Sequence, residues 1–370
     1  MKRLTIVQIL PALQGGGVER GTLEVAKELV AKGHRAIVIS SGGVMVEELE
    51  SYGAEHVTLM VQKKSLLSLR HVKKLRKTLL EINPDVIHTR SRLPAWLTYL
   101  AWRKMPVLNR PRWLSTIHGL YSINRYSKVM TRAEKIIVVS ETAKQYVLDN
   151  YPDTNEQQIK LIYRGIDPEQ FPLDYVPDVS WLEQWQKQFP QLISKKVLTL
   201  PGRITRLKGH GIFLQLIRNL LDAGGEVHGL IVGGVHSGKE RYMQEVEAEI
   251  KKLNLVEHVT FTGNRSDIRE VYAVSDLIFS LSNKPESFGR TVLEPLAMGR
   301  PVIAWNYGGV GEILTAMFPQ GKVSKGDNES LFEVSKQQLK APSKPLVENP
   351  FLLQTMLDSI LELYQEMTNE

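Results

Sequence analysis

The sequence predicts an α/β protein built as two doubly wound domains that face a central cleft. Three observations carry that expectation. Short β-branched runs alternate with longer amphipathic stretches in both halves of the chain, the pattern of parallel sheets covered by helices. A stretch with four prolines interrupts the alternation once, from Asp167 to Lys196. The 370 residues also exceed the roughly 250 to 300 at which one hydrophobic core stops growing. The expected domains are 1–175 and 176–350.

In the first half LTIVQI, RAIVIS, DVIHTR, WLSTIHG and KIIVVS read as buried strands. The opening MKRLTIVQILPALQGGG has the basic start and apolar length of a signal peptide, but Gln8 interrupts it and no small-x-small site follows. A first strand running into a glycine loop is the better reading, with ERGTLEVAKELVAKG as the helix behind it. The proline-rich segment DPEQFPLDYVPDVSWLEQWQKQFPQLISKK holds no strand pattern and is the expected linker. Strands then resume as VLTLPG, VHGLIVGG, HVTFTG, LIFSLS and PVIAW. Ligands of such sheets sit at the carboxyl ends of the strands, so the loops there are the places to look for chemistry.

Composition narrows the class. Hydrophobic residues make up 42% and charged residues 24%, as in ordinary soluble globular proteins, and no apolar run approaches the ~18 residues that span a bilayer. Cysteine is absent, which excludes disulfides and a thiol nucleophile and accords with a cytoplasmic location. The net charge of +7 is uneven: residues 1–170 carry 26 basic against 16 acidic side chains, residues 171–370 carry 21 against 24. The excess concentrates between Lys63 and Arg112. There SLLSLRHVKKLRKTLLEI spaces Leu66, Leu69, Val72, Leu75 and Leu79 as a helix that also carries Lys73, Lys74, Arg76 and Lys77. Its basic side is either a solvated face or a surface drawn to anionic membrane or glycolipid, which would place the protein on the inner face of the cytoplasmic membrane. Nucleic acid is not an expected partner, because no aromatic residues interleave with the cations and no recognised module is present.

Three strand-end loops carry candidate chemistry. In QGGGVERG, Gly15, Gly16 and Gly17 precede a helix start whose free N–H groups suit phosphate, although Arg20 stands where a dinucleotide fingerprint needs glycine. A structural tight turn fits that loop equally well. In PGRITRLKGH, Arg203, Arg206 and Lys208 gather beside two glycines at one strand end, an arrangement suited to a diphosphate. In PESFGRTVLEPLAMG, Glu286 precedes a helix and Glu294 lies within it. Two carboxylates serving hydrolysis would have to flank one bond at roughly 5 to 10 Å; otherwise Glu294 is a solvated helix residue or a contact to an extended ligand.

Taken together, Gly15 to Gly17 with Glu19, Gly202-Arg203 with Lys208-Gly209, and Glu286-Ser-Phe-Gly-Arg followed by Glu294 and Gly299-Arg-Pro-Val-Ile-Ala resemble the retaining glycosyltransferases of family 4. HTRSRLPAW, STIHGLYS, VVSE and YRGID are similar to the lipopolysaccharide-core branch of that family. The resemblance runs from about residue 4 to 315. It departs at Arg164, where many relatives have Asn before Gly-Ile-Asp, and it fades beyond Glu312.

The resemblance implies a GT-B fold of two Rossmann-like domains, with the C-terminal one holding a UDP- or GDP-linked sugar and the N-terminal one the acceptor. It also implies that the helix in 351–370 packs back on the first domain. Arg203 and Lys208 would hold the donor diphosphate, Glu294 the ribose, and Glu286 the transferred sugar. His118 would face the sugar and completes a catalytic set with Glu286, Arg203 and Lys208. Gly16, Gly17, Phe288, Gly289 and Arg290 would add donor contacts, and Asn264 would lie near the base. Arg90 and Arg92 join Lys73, Lys74 and Lys77 on the acceptor or membrane side. No cofactor beyond the nucleotide sugar is implied. No Asp-x-Asp occurs in the chain, so no metal is expected and the two cations would take its place. The expected reaction is hexosyl transfer to a lipopolysaccharide-core or related glycolipid or saccharide acceptor. The alternatives are a sugar-nucleotide epimerase of the same fold and a non-catalytic two-lobed sugar or nucleotide binder.

Overall fold

A computed structural model describes residues 2–61, 68–235 and 240–369. Lys63 and Leu66 of the basic stretch lie outside the described residues. In chain order the elements are β1 (Thr5–Ile9), α1 (Gly17–Ala31), β2 (Arg35–Ser40), α2 (Val46–Ser51), β3 (Glu55–Thr58), α3 (Ser68–Ile82), β4 (Val86–Thr89), α4 (Arg92–Trp102), β5 (Arg112–Ile117), β6 (Lys135–Val138), α5 (Glu141–Asn150) and β7 (Ile159–Leu161). There follow α6 (Val179–Gln188), β8 (Lys196–Pro201), α7 (His210–Asp222), β9 (Val227–Val232), α8 (Glu240–Lys252), β10 (Val259–Gly263), α9 (Ile268–Ala273), β11 (Leu277–Ser280), α10 (Arg290–Ala297), β12 (Val302–Trp305), α11 (Gly309–Met317), β13 (Lys322–Val323), α12 (Asn328–Lys340) and α13 (Leu353–Asn369).

The chain forms two compact units, Met1–Gly165 with Leu353–Glu370, and Ile166–Leu352. Unit 1 is a parallel sheet ordered β3-β2-β1-β4-β5-β6-β7. Its central strands are buried on both faces, which is why they read as continuous Ile and Val runs. Helix α13 belongs to this unit because Met356, Leu357, Ile360, Leu361, Tyr364 and Met367 recur every three or four residues and enter the core with Leu4, Ile6, Leu23 and Leu29.

Unit 2 repeats the scheme as β10-β9-β8-β11-β12-β13, again all parallel. Its core gathers Leu198, Leu200, Phe213, Ile217, Phe279 and Ile303. The expected boundary at 175/176 is corrected to 165/166. Ile166 bridges to Leu352, its N–H donates to the Phe351 carbonyl, and the Asp174 N–H reaches Met298, all within unit 2. The proline-rich segment is likewise no free linker: Trp185, Phe189 and Leu192 pack on Val197, Leu230 and Val271, with Trp181 and Trp185 stacked at 5.0 Å. Among the described residues no helix is long and apolar enough to cross a membrane.

Candidate active site

In each sheet the chain leaves the first strand in opposite directions, so the carboxyl ends of β8 and β11, and of β1 and β4, border a switch point where loops diverge. At the β8 end of unit 2 the loop 202–209 returns on itself. Gly209 is left-handed at φ 76° and caps α7, and a side chain there would meet the Leu281 carbonyl oxygen at 2.1 Å. The Asn283 N–H donates to the Leu207 carbonyl at 2.7 Å, and its amide donates to the Arg206 carbonyl at 2.8 Å. These bonds fix the β8 loop against the β11 loop.

That packing brings Lys208 to Glu286: the Lys208 ammonium donates to Glu286 Oε1 at 2.7 Å, and Ser282 Oγ donates to the same oxygen. Burial works to raise the Glu286 pKa, but the charge and hydrogen bond of Lys208, the Ser282 hydroxyl and the charge of Arg203 together hold it below the ordinary carboxylate value. Glu286 is therefore an anion at neutral pH, ready to accept hydrogen bonds. Arg203 is exposed beside this pair. Arg206 is not part of the cluster, because it pairs with Glu245 and lies over the Tyr242 ring at 5.0 Å.

The backbone around Glu286 is equally fixed. It bridges to Gly308, and the Gly309 N–H donates to the Glu286 carbonyl at 2.9 Å. A side chain on Gly309 would come within 2.7 Å of the Phe288 Cα, so the loop lies directly on the start of α11. Gly289 caps α10 with φ 133°. One turn into that helix Glu294 is buried, not solvated, at 9% exposure. Arg290 donates to its Oε1 at 3.2 Å and Tyr272 to its Oε2 at 3.2 Å. Burial, and then the Glu294 charge, push the Tyr272 hydroxyl well above its usual pKa, so it remains a neutral donor.

Of the other expected donor contacts in unit 2, Asn264 is exposed at the end of β10 and stands against Gly234, where a Cβ would meet its amide at 2.6 Å. The Phe288 ring is turned into the core, 4% exposed and edge-on to Phe351 at 5.7 Å. Any ligand contact it makes comes from its backbone. Ser282 and Tyr272 were not legible as site residues, since neither stands in a motif and both are identified only by the carboxylate they touch.

Gly16, Gly17 and His118 lie in unit 1. Gly16 adopts φ 140° as the cap of α1, and the Glu19 carboxylate stands over it, 2.8 Å from where a Cβ would be. The Gly17 carbonyl accepts from Arg164 Nη2 at 2.6 Å, while Arg164 Nη1 contacts His118 Nδ1 at 3.3 Å. Arg164 passes through the space a side chain on Gly21 would fill, 2.4 Å from the ideal Cβ. Burial, and then the charges of Arg164 and Arg90, keep the His118 pKa well below its usual value. His118 is thus a neutral ring. Arg90 is buried at 3% exposure and so cannot serve a membrane surface. Its neighbour is the Tyr364 hydroxyl, which bonds His88 Nδ1 at 2.6 Å, and His88 Nε2 in turn meets Thr116 Oγ1 at 2.6 Å. Arg92 reaches Ser127 at 3.2 Å and lies over the Tyr121 ring at 4.5 Å, while Lys73, Lys74 and Lys77 of α3 are exposed.

Two doubly wound parallel-sheet units, the second with a cation and carboxylates at its switch point, match the architecture of GT-B glycosyltransferases. Residues 15–170 match the model of Glycosyltransferase Family 4 and residues 183–346 that of Glycosyl transferases group 1. A solved glycosyltransferase from Rickettsia africae ESF-5 is 32% identical, with 99% of both chains covered and a TM-score of 0.84. The chain belongs to the GT-B glycosyltransferases, its first unit matching the Family 4 model. The solved structure of Anabaena Alr3699/HepE in complex with UDP and glucose shares the fold at a TM-score of 0.84, with 21% identity, 98% of this chain and 100% of that one covered. The lipopolysaccharide core biosynthesis mannosyltransferase LpsB of Rhizobium meliloti is 25% identical over 51% of this chain and 50% of its own.

Proposed function

We propose that this glycosyltransferase moves a hexose from a UDP- or GDP-linked donor held by unit 2, with retention of configuration and without a metal, to a lipopolysaccharide-core or related saccharide acceptor held by unit 1. The observation that carries the donor half is the Lys208 to Glu286 pair beside Arg203 at the unit 2 switch point. As the glycosyl bond breaks, negative charge grows on the departing diphosphate and positive charge on the anomeric carbon. Lys208 and Arg203 are cations placed to stabilise the first, and anionic Glu286 is a fixed acceptor for sugar hydroxyls near the second. Glu294, braced by Arg290 and Tyr272, is suited to the paired hydroxyls of a ribose. The departing phosphate then takes the acceptor proton on the same face, so no protein nucleophile is required.

UDP and glucose in the HepE structure support the donor class, and LpsB supports the acceptor class. The exposed lysines of α3 fit a protein working at an anionic membrane face, where the acceptor would be found. Calorimetric titration of UDP and GDP into the metal-free protein tests the reading. One of them binds, and Glu294→Ala weakens it about 10-fold or more, the scale of a lost charge-assisted pair of hydrogen bonds. Failure of both nucleotides to bind, or binding that requires a divalent ion, would sink the corresponding part of the proposal.

A further inference from the structure

The outer side of α4 carries a surface that neither the core nor the donor site uses. Residues 86–133 hold nine lysines and arginines and no aspartate or glutamate. The acids on either side of that stretch, Asp85 and Glu134, pair with Lys2 and Arg112, and Lys128 pairs with Asp153. Among the described residues no carboxylate pairs with Arg103, Lys104, Arg110 or Arg132. Arg92, Trp96, Tyr99 and Arg103 recur at helical spacing and share one partly exposed face of α4, whereas Leu97, Thr98 and Ala101 turn into the unit. Tyr126 stacks on Trp96 at 6.5 Å, and the guanidinium groups of Arg103 and Arg132 lie over the Tyr99 ring at 5.6 and 5.0 Å.

Where α4 ends, the chain turns through Pro106, Val107 and Leu108 on its way to β5. Val107 is 76% and Leu108 99% exposed. A single exposed aliphatic side chain is ordinary; a neighbouring pair at the apex of a fastened turn, with cations before and after it, is a different case. Arg110 does the fastening. It donates from Nε to the Met105 carbonyl at 3.0 Å and from Nη2 to the Arg103 carbonyl at 2.9 Å, and it lies over the Trp102 ring at 4.9 Å. Met105 is buried beneath the turn.

We infer that this side of unit 1 docks on an anionic bilayer: Val107 and Leu108 enter the acyl boundary, the rings of Trp96, Tyr99 and Trp102 lie at headgroup level, and the unpaired cations meet the lipid phosphates. Aromatic rings favour that interface, and long cationic side chains set their charge at its polar edge. The lack of carboxylates removes repulsion from an anionic surface. A protruding tip offers no pocket to a partner's side chain, which favours lipid over an acidic protein. Insertion also sets this surface apart from the lysines of α3, whose attraction is charge alone. Helix α4 starts three residues past the carboxyl end of β4, so the bilayer would lie alongside the strand-end loops of unit 1. That those loops hold a membrane-borne acceptor rests on the function proposed above; the docking does not.

The test is cosedimentation of the full chain with vesicles of phosphatidylcholine, with and without phosphatidylglycerol, at about 0.15 M salt, alongside UDP and GDP titrations as a separate check on unit 2. The anionic vesicles bind more tightly than the neutral ones. Val107→Ser with Leu108→Ser weakens that binding about 10-fold, Leu108→Trp retains it, and Arg103→Gln with Lys104→Gln weakens it more steeply at low salt. Since these side chains are exposed, melting temperature and nucleotide binding stay as in the parent. Serine variants that bind as the parent does overturn the inference, as does a parent that ignores the anionic lipid. A dimer in solution that the serine pair disperses would make this face a protein interface and overturn it too. Were neither nucleotide to bind while the lipid effect held, the donor reading would fail and this surface would stand.

Discussion

The two sheets share one strand order about their first strand, yet the side chains at their switch points differ in kind. Unit 2 pairs opposite charges: Lys208 faces Glu286, and Arg290 faces Glu294. Such a cradle offers donors to a diphosphate and acceptors to hydroxyls in one place. Unit 1 instead buries Arg90 and Arg164 beside His118, around a small cavity with no carboxylate among its lining residues. Topology thus fixes where a ligand goes, while the sign of the loop residues decides what it is. The lesson is that a shared fold does not make the two sites interchangeable.

The comparison breaks most sharply at Lys208. Lys208→Ala removes the cation next to the leaving diphosphate and is expected to lower kcat about 10²-fold, the scale of one lost transition-state donor. Burial, held off by Lys208, would then push the Glu286 pKa up, so the residual activity should fall further on acidification, unlike the parent. Steady-state rates with the nucleotide sugar that binds, across pH, decide it. An unchanged kcat would mean that the pair only holds the two loops together.

Acid acts on both units through buried histidines. Burial lowers the pKa of His210 and of His228 to about 4 in unit 2, and pushes His88 and His118 of unit 1 well below 6.5. A histidine held neutral in the fold contributes stability that is complete above its unfolded pKa near 6.5 and is lost as the pH falls toward its folded value. The melting temperature should therefore decline between about pH 6.5 and pH 4, and His118→Gln should lessen that decline if unit 1 contributes. A melting temperature flat across that range would show that these rings are not held neutral.

How far the sequence revealed this arrangement depended on the type of signal. Strands β1, β2, β4, β5 and β6 stood out because both faces are buried and their residues are almost all apolar. Strands β3 and β7 did not, since Glu55–Thr58 has no buried residue and Ile159–Leu161 is three residues long. Four prolines around Trp181 and Trp185 concealed a packed segment as a linker. In the site, Lys208 and Glu286 were legible from strand-end motifs, but their 2.7 Å contact spans 78 positions, and only the fold brings it about. Arg164 was visible as a departure from the family pattern. Its bond to His118 across 46 positions was not.

The smallest expected effect concerns charge outside both sites. Lys73, Lys74 and Lys77 are exposed on α3, while Leu75 and Leu79 of the same helix are fully buried, so the basic face is turned to solvent. Lys77 also lies 3.6 Å from Glu81, which neutralises part of it. Replacing the three lysines with serine should weaken binding to phosphatidylglycerol vesicles about 10-fold at low salt and by little near physiological ionic strength, where the Debye length is about 8 Å. Because the change touches neither switch point, nucleotide binding should persist. Loss of nucleotide binding would mean that α3 shapes a site it does not line, and unchanged vesicle binding at low salt would leave its lysines as a solvated face.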